Sequence, residues 1–203
     1  YSEATAVLRD LVEATGIAVA ETQAGKSAMP WDHPCAVGAI GVTGTRAANL
    51  LAREADLVIA IGTRLADFTT MSKTAFANPD VRFVAINVCE LDAFKHHAIP
   101  LVADARAAIE ELLPRLEGYT TSAGYRAAGQ ARTREWHDEV EGIYGQRGPA
   151  PFAQAEVVGA VNASARPQDV VVCALSFRAA SDVVVYGFST DAGVSIGLSL
   201  VVP

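Results

Sequence analysis

A rhythm of short, unbroken apolar runs set between segments of helical periodicity constrains this chain's fold more than any other feature. Leu57-Val58-Ile59-Ala60-Ile61 holds no polar residue, which suits a strand buried on both faces. Residues 17–20, 81–88 and 99–103 read as further strands. Helical spacing runs through residues 3–14, where Ala6, Val7, Leu8, Leu11 and Val12 keep the period and Gly16 supplies the stop; it returns at 46–55 and 105–116. Strands and helices alternating over short connections predict right-handed crossovers and an α/β fold. The expected architecture over residues 1–120 is a doubly wound, mostly parallel sheet flanked by helices, Rossmann-like in layout. Such a sheet takes its ligand at the carboxyl ends of its strands. The informative connections therefore follow residues 17–20, Ile61 and Val88.

Residues 118–151 change character. Arg126, Arg132, Arg134, Glu135, Asp138, Glu139 and Glu141 crowd around an isolated Trp136. That predicts a solvated linker helix over 121–150, ended by Gly145 and Gly148-Pro149. Residues 152–165 read as an amphipathic helix and 169–173 as a strand. Residues 151–203 are thus expected to begin a second α/β unit that they are too few to complete. With Tyr1 where a start methionine would stand, the chain reads as a fragment or a processed product.

Composition narrows function. With 16 Lys and Arg against 23 Asp and Glu, the net charge is −7, which argues against nucleic-acid or anionic-membrane partners, since either calls for clustered cations. The mean hydropathy of +0.24 is high, yet a membrane span needs about 20 nearly uncharged residues. Asp56 and Arg64 break the most apolar stretch, and Asp191 breaks the tail from 183 to 203. Cys35, Cys89 and Cys173 are too far apart for a CxxC pair, so buried small side chains in a reducing, cytoplasmic setting are expected.

Two glycine-bearing stretches could meet an anion. Gly41-Val42-Thr43-Gly44-Thr45 precedes a helix whose free amides favour negative charge, or Thr45 simply caps that helix. Gly62-Thr63-Arg64-Leu65-Ala66-Asp67 follows a strand directly. Arg64 there either grips a phosphate bidentately or closes the loop on Asp67. Gly193-Val194-Ser195-Ile196-Gly197 matches a nucleophile-elbow pattern but lacks both a following helix and a following histidine, so it carries no chemistry. Asp92, His96 and His97 lack a third ligand at metal spacing and read as a solvated helix start. His33 reads as a loop support.

Taken jointly, these stretches resemble the central domain of thiamine-diphosphate-dependent enzymes of the acetolactate-synthase type. The resemblance is carried by residues 25–34 (Gly-Lys-Ser-Ala-Met-Pro-Trp-Asp-His-Pro), 41–45 with Asn49, 55–67, 83–87 and 101–105. A narrower resemblance, to the inositol-catabolic hydrolases of trihydroxycyclohexane-1,2-dione, rests on residues 20–26, 30–34, 37–45 and 67–70. Residues 154–158 and 169–173 are similar to the opening of that family's carboxyl-terminal cofactor domain; residues 175–203 match nothing in it.

The resemblance implies an oligomeric, multi-domain enzyme that opens a cyclic dione at a carbon–carbon bond. Thiamine diphosphate with magnesium acts there as electron sink, held by segments outside this stretch, so the chain alone is expected to be inactive. It also implies that Gly44, Thr45, Asn49, Gly62, Arg64 and Asp67 stand where flavin-binding relatives contact FAD or ADP. Two alternatives stay open: part of an acetolactate-synthase-type enzyme, or a stand-alone FAD- or ADP-binding module.

Overall fold

A computed structural model of the chain describes residues 2–145, 154–166, 183–190 and 193–200. The chain opens on α1 (Thr5–Thr15), which Gly16 ends in the left-handed conformation, φ 70°, donating its N–H to the Val12 carbonyl. β1 (Val19–Glu21) pairs in parallel with β2 (Ala36–Ala39). Then come α2 (Arg46–Glu54), β3 (Leu57–Ile61), the short α3 (Asp67–Thr70), β4 (Arg82–Asn87), the short α4 (Glu90–Ala93) and β5 (Ile99–Val102). β3, β4 and β5 lie side by side in that order, all parallel, with Ile59 opposite Val84 and Ile86 opposite Leu101. α5 (Ala105–Leu112), α6 (Ala123–Tyr144) and α7 (Gln154–Ser164) follow. Last, β6 (Val183–Thr190) runs antiparallel to β7 (Gly193–Leu200). Parallel strands flanked by helices make the fold α/β, as the apolar rhythm predicts.

Apolar side chains from the alternating elements make the core. Ala60, Leu65, Phe83, Ala85 and Ala98 cluster on the β3–β5 ladder, with Val58, Phe76 and Val81 packed against them. Val12, Met29 and Ala36 join α1 to the β1–β2 ladder. Side-chain caps set the helix starts: Thr45 for α2, Asp104 for α5 and Ser122 for α6.

Several expectations need correction. β2 has no counterpart among the expected strands, because Gly38 interrupts a run of only four residues. Leu57 is 44% exposed rather than buried, since β3 is an edge of its ladder. The helix expected over 105–116 stops as an α-helix at Leu112 and tightens into a 3-10 turn over Leu113–Leu116, because Pro114 has no N–H to give. Cys89 is exposed, whereas Cys35 is partly buried. One expectation needs none: Ser195, discounted as a nucleophile elbow, lies within β7 opposite Phe188. The strand expected over 169–173, and Cys173 with it, lies outside the described residues. Among the described residues no helix is long and apolar enough to cross a membrane.

α6 is more than a solvated linker. It packs on α2, with Gly129 against Leu51, and two ion pairs bridge the helices, Arg132–Glu54 at 2.8 Å and Arg46–Glu139 at 3.2 Å. Both pairs are largely exposed, so Arg132→Ala is expected to lower stability by less than about 1 kcal/mol in chemical denaturation. A loss of several kcal/mol would mean that charge, not close helix approach, holds α6 in place.

Candidate functional site

The connections leaving the carboxyl ends of β2 and β3, which belong to separate ladders, meet. The Val42 N–H donates to the Phe68 carbonyl at 2.9 Å, joining the two. Of the positions singled out for a nucleotide, Gly44 and Thr45 belong to the first connection, with Asn49 in α2 behind it, and Gly62 and Arg64 to the second, with Asp67 opening α3.

The first connection is a closed knot. The Asn49 amide both accepts the Gly41 N–H and donates to the Gly41 carbonyl, each at 2.9 Å. The Gly44 N–H donates to the Gly41 carbonyl at 2.8 Å and the Thr45 N–H to the Ala39 carbonyl at 2.7 Å. The Thr45 hydroxyl accepts the Ala48 N–H and donates to the Val37 carbonyl. A Cβ at Gly44 would lie 2.5 Å from the Ala39 carbonyl oxygen, so only glycine fits. The Gly41, Val42, Gly44, Thr45 and Ala48 amides thus already have partners. The helix-cap reading of Thr45 is the one the geometry realises.

The second connection is open. Gly62 adopts φ 62° with nothing near its Cβ direction, and Arg64 and Asp67 are exposed. No ion pair joins Arg64 to Asp67 among the described residues. Phe68 stands beside them, 64% exposed.

Two features escape a reading of the sequence. Asn87, buried at the end of β4, donates to the Thr63 carbonyl at 3.0 Å and accepts the Cys89 N–H at 2.9 Å; its signal is an amide closing an apolar strand. Glu21, ending β1, turns its carboxylate onto the backbone after Lys26 and accepts the Met29 N–H at 2.9 Å. Burial pushes the Glu21 carboxyl up, with Met29 and Lys26 offsetting part of the shift, and burial pushes the Lys26 ammonium down. His33 supports its loop as expected: Nδ1 accepts the Cys35 N–H at 3.1 Å and Nε2 faces Glu13 at 3.6 Å. Asp92 and Lys95 form an ion pair at 2.6 Å, so that helix start is pinned rather than merely solvated. No group of three His, Cys, Asp or Glu that could hold a metal occurs among the described residues.

Comparison with known proteins gives this geometry a context. The family described as "Thiamine pyrophosphate enzyme, central domain" matches residues 1–112. A 3D-(3,5/4)-trihydroxycyclohexane-1,2-dione hydrolase from Clostridium perfringens is 44% identical over 141 residues, 70% of this chain and 22% of the relative. A Bacillus cereus protein named as hydrolase 2 of the same kind is 43% identical over 159 residues, 78% of this chain and 25% of the relative. The hydrolase of that name from Listeria monocytogenes serotype 4b is 38% identical over 198 residues, 85% of this chain and 31% of the relative. The chain thus spans less than a third of the length of these relatives.

Proposed function

The chain belongs to the thiamine pyrophosphate enzyme family, through that family's central domain, and from this premise we propose that it is the central part of a hydrolase that opens the ring of trihydroxycyclohexane-1,2-dione. The observation that carries the reading is the name shared by relatives 38–44% identical to it. In this reading thiamine diphosphate and magnesium supply the electron sink that lets a carbon–carbon bond break, and both are held by segments outside residues 1–120. This chain's own residues contribute a rigid frame: the Asn49 knot fixes the end of β2, and Asn87 fixes the loop after β3. Residues 121–150 connect the frame to a following domain that starts at about 151. The setting is cytoplasmic and the full-length enzyme a homo-oligomer. Exposed apolar side chains on α4 and β5, among them Leu91 at 77%, Ile99 at 67% and Val102 at 51%, support a domain that packs against other parts of a larger protein.

The test is an assay of the full-length protein with the cyclic dione, thiamine diphosphate and magnesium. Ring opening is expected there and no turnover from residues 1–203 alone. Acetolactate formed from pyruvate, with no ring opening, would move the assignment to a synthase of the same superfamily.

A second reading has one observation in its favour. The exposed Arg64, which has no ion-pair partner among the described residues, beside the open Gly62 suits an adenine nucleotide such as ADP, or the ADP half of FAD, with Asp67 at the edge. The closed knot leaves Gly44, Thr45 and Asn49 as supports of that site rather than ligand contacts.

A further inference from the structure

The parallel strands form two ladders, and no backbone pairing joins β1 to β3 among the described residues. Helices nonetheless bridge them: α1, which leads into β1, packs against α5, which follows β5. The amino ends of β1 and β3 also share a neighbour. The Tyr125 hydroxyl accepts the Ala18 N–H at 3.3 Å. Burial pushes this hydroxyl up, and the charge of Asp56, just before β3, adds to the shift.

Two ladders have four edges, and the outer two are closed. On β2 the Val37 and Ala39 carbonyls accept the Thr45 hydroxyl and N–H at 2.8 and 2.7 Å. On β5 the Ala103 N–H donates to the Asn87 carbonyl, so alternation turns Pro100 outward. Proline has no N–H to offer a further strand there.

The inner two are open. The Arg82 N–H donates to the Asp56 carbonyl and the Gly62 N–H to the Ile86 carbonyl, so Val58 and Ala60 between them turn their backbone toward β4. Leu57, Ile59 and Ile61 turn theirs the other way, where no strand lies among the described residues. On β1 the Val19 N–H and the Glu21 carbonyl bond toward β2, which turns Ala20 outward. β3 holds neither proline nor charge, and such an edge is a template for another strand. Its unbroken apolar run suits a strand flanked on both sides.

We propose that β1 and β3 form a slot for one more strand, supplied by the segment that leads into α1 in the full-length protein. It lies parallel to both and joins the ladders into one sheet ordered β2, β1, inserted strand, β3, β4, β5. The direction follows from where the chain enters α1. Hydrogen bonds from the Ala107 N–H and then the Ser2 side chain hold the Asp104 carboxyl below its ordinary range, and Asp104 follows the carboxyl end of β5. A strand reaching Ser2 from the sheet therefore ends where β3, β4 and β5 end, and α1 becomes its crossover to β1. Relatives of which this chain covers 22–31% have ample chain to supply it. The inserted strand is an apolar run about as long as β3, as a parallel strand with two neighbours is.

Hydrogen exchange resolved to single amides tests this on the full-length protein and on residues 1–203, with Val58 and Ala60 reporting that the β3–β4 pairing is folded. In the full-length protein Ile59 and Ile61 are expected to exchange as slowly as Val58 and Ala60. In residues 1–203 they are expected to exchange about 100-fold faster than those two. A proline substituted into the apolar run before α1 of the full-length protein is expected to release Ala20, Ile59 and Ile61 but not Val58 and Ala60. Fast exchange of Ile59 and Ile61 in the full-length protein overturns the proposal. So does their protection in residues 1–203, where a rise with concentration would place a second copy on the edge. Protection that the proline leaves intact assigns the slot to another segment and overturns it as well.

Discussion

Gly41→Ala is expected to lower the unfolding free energy by about 3 kcal/mol or more, whereas Gly62→Ala costs only about 1–2 kcal/mol. Both glycines have positive φ, 108° and 62° respectively, so both substitutions strain the backbone. They differ in what a methyl group meets. At Gly41 it would overlap the Phe68 carbonyl oxygen and stand 2.9 Å from Thr69 Cα, whereas at Gly62 nothing lies within 4 Å. Backbone cannot swing aside as a flexible side chain can. The substitution therefore pushes apart the two connections that Val42 and Phe68 join, and loosens the pair of Asn49 hydrogen bonds to Gly41. Chemical denaturation of the two variants side by side measures the difference. Equal losses would show that φ alone matters and that the close approach relaxes without penalty.

The contrast between those glycines also marks how far the sequence can be read. The alternation of apolar runs and helical spacing predicts the α/β class, and β3, β4, β5 and α2 fall within a residue or two of their expected limits. Burial on both faces, read from Leu57–Ile61, fails at Leu57 because periodicity does not tell an edge strand from a central one. β2 stays hidden because four residues with a glycine among them form no pattern until β1 lies alongside. Gly41-Val42-Thr43-Gly44-Thr45 advertises backbone freedom but not its use. Whether its amides face a phosphate or one another is decided by Asn49, whose side chain closes the knot from eight residues away. Glu21 at the end of a three-residue strand and Lys26 in the non-repetitive loop after it have no period to expose them, and burial, not spacing, is what makes them notable. Pro114, by contrast, is a legible stop that the helical spacing of 105–116 masks.

Glu21 is where the choice of substituent separates a hydrogen bond from a charge. Glu21→Ala removes the acceptor of the Met29 N–H, and Met29 is 3% exposed, so a loss of about 1–3 kcal/mol is expected. Glu21→Gln keeps an oxygen in place and discards the charge that burial disfavours, so at pH 7 to 8 it is expected to equal or exceed the parent in stability. The pH dependence follows from the same cause. Between its ordinary value of 4.5 and its raised folded value, Glu21 holds a proton in the native chain that the unfolded chain releases. Its contribution therefore makes stability fall as pH climbs through that window and level off above it. Lys26 acts with the opposite sign at the alkaline end: its folded value lies below the ordinary 10.5, so the unfolded chain binds the extra proton and stability rises with pH through that interval. Glu21→Gln should erase the acid-side decline, and Lys26→Met the alkaline-side rise, in denaturation midpoints taken across pH. If Glu21→Gln loses as much at pH 8 as Glu21→Ala does, the attraction between carboxylate and ammonium outweighs their desolvation, and this loop is held by charge rather than by its backbone amides.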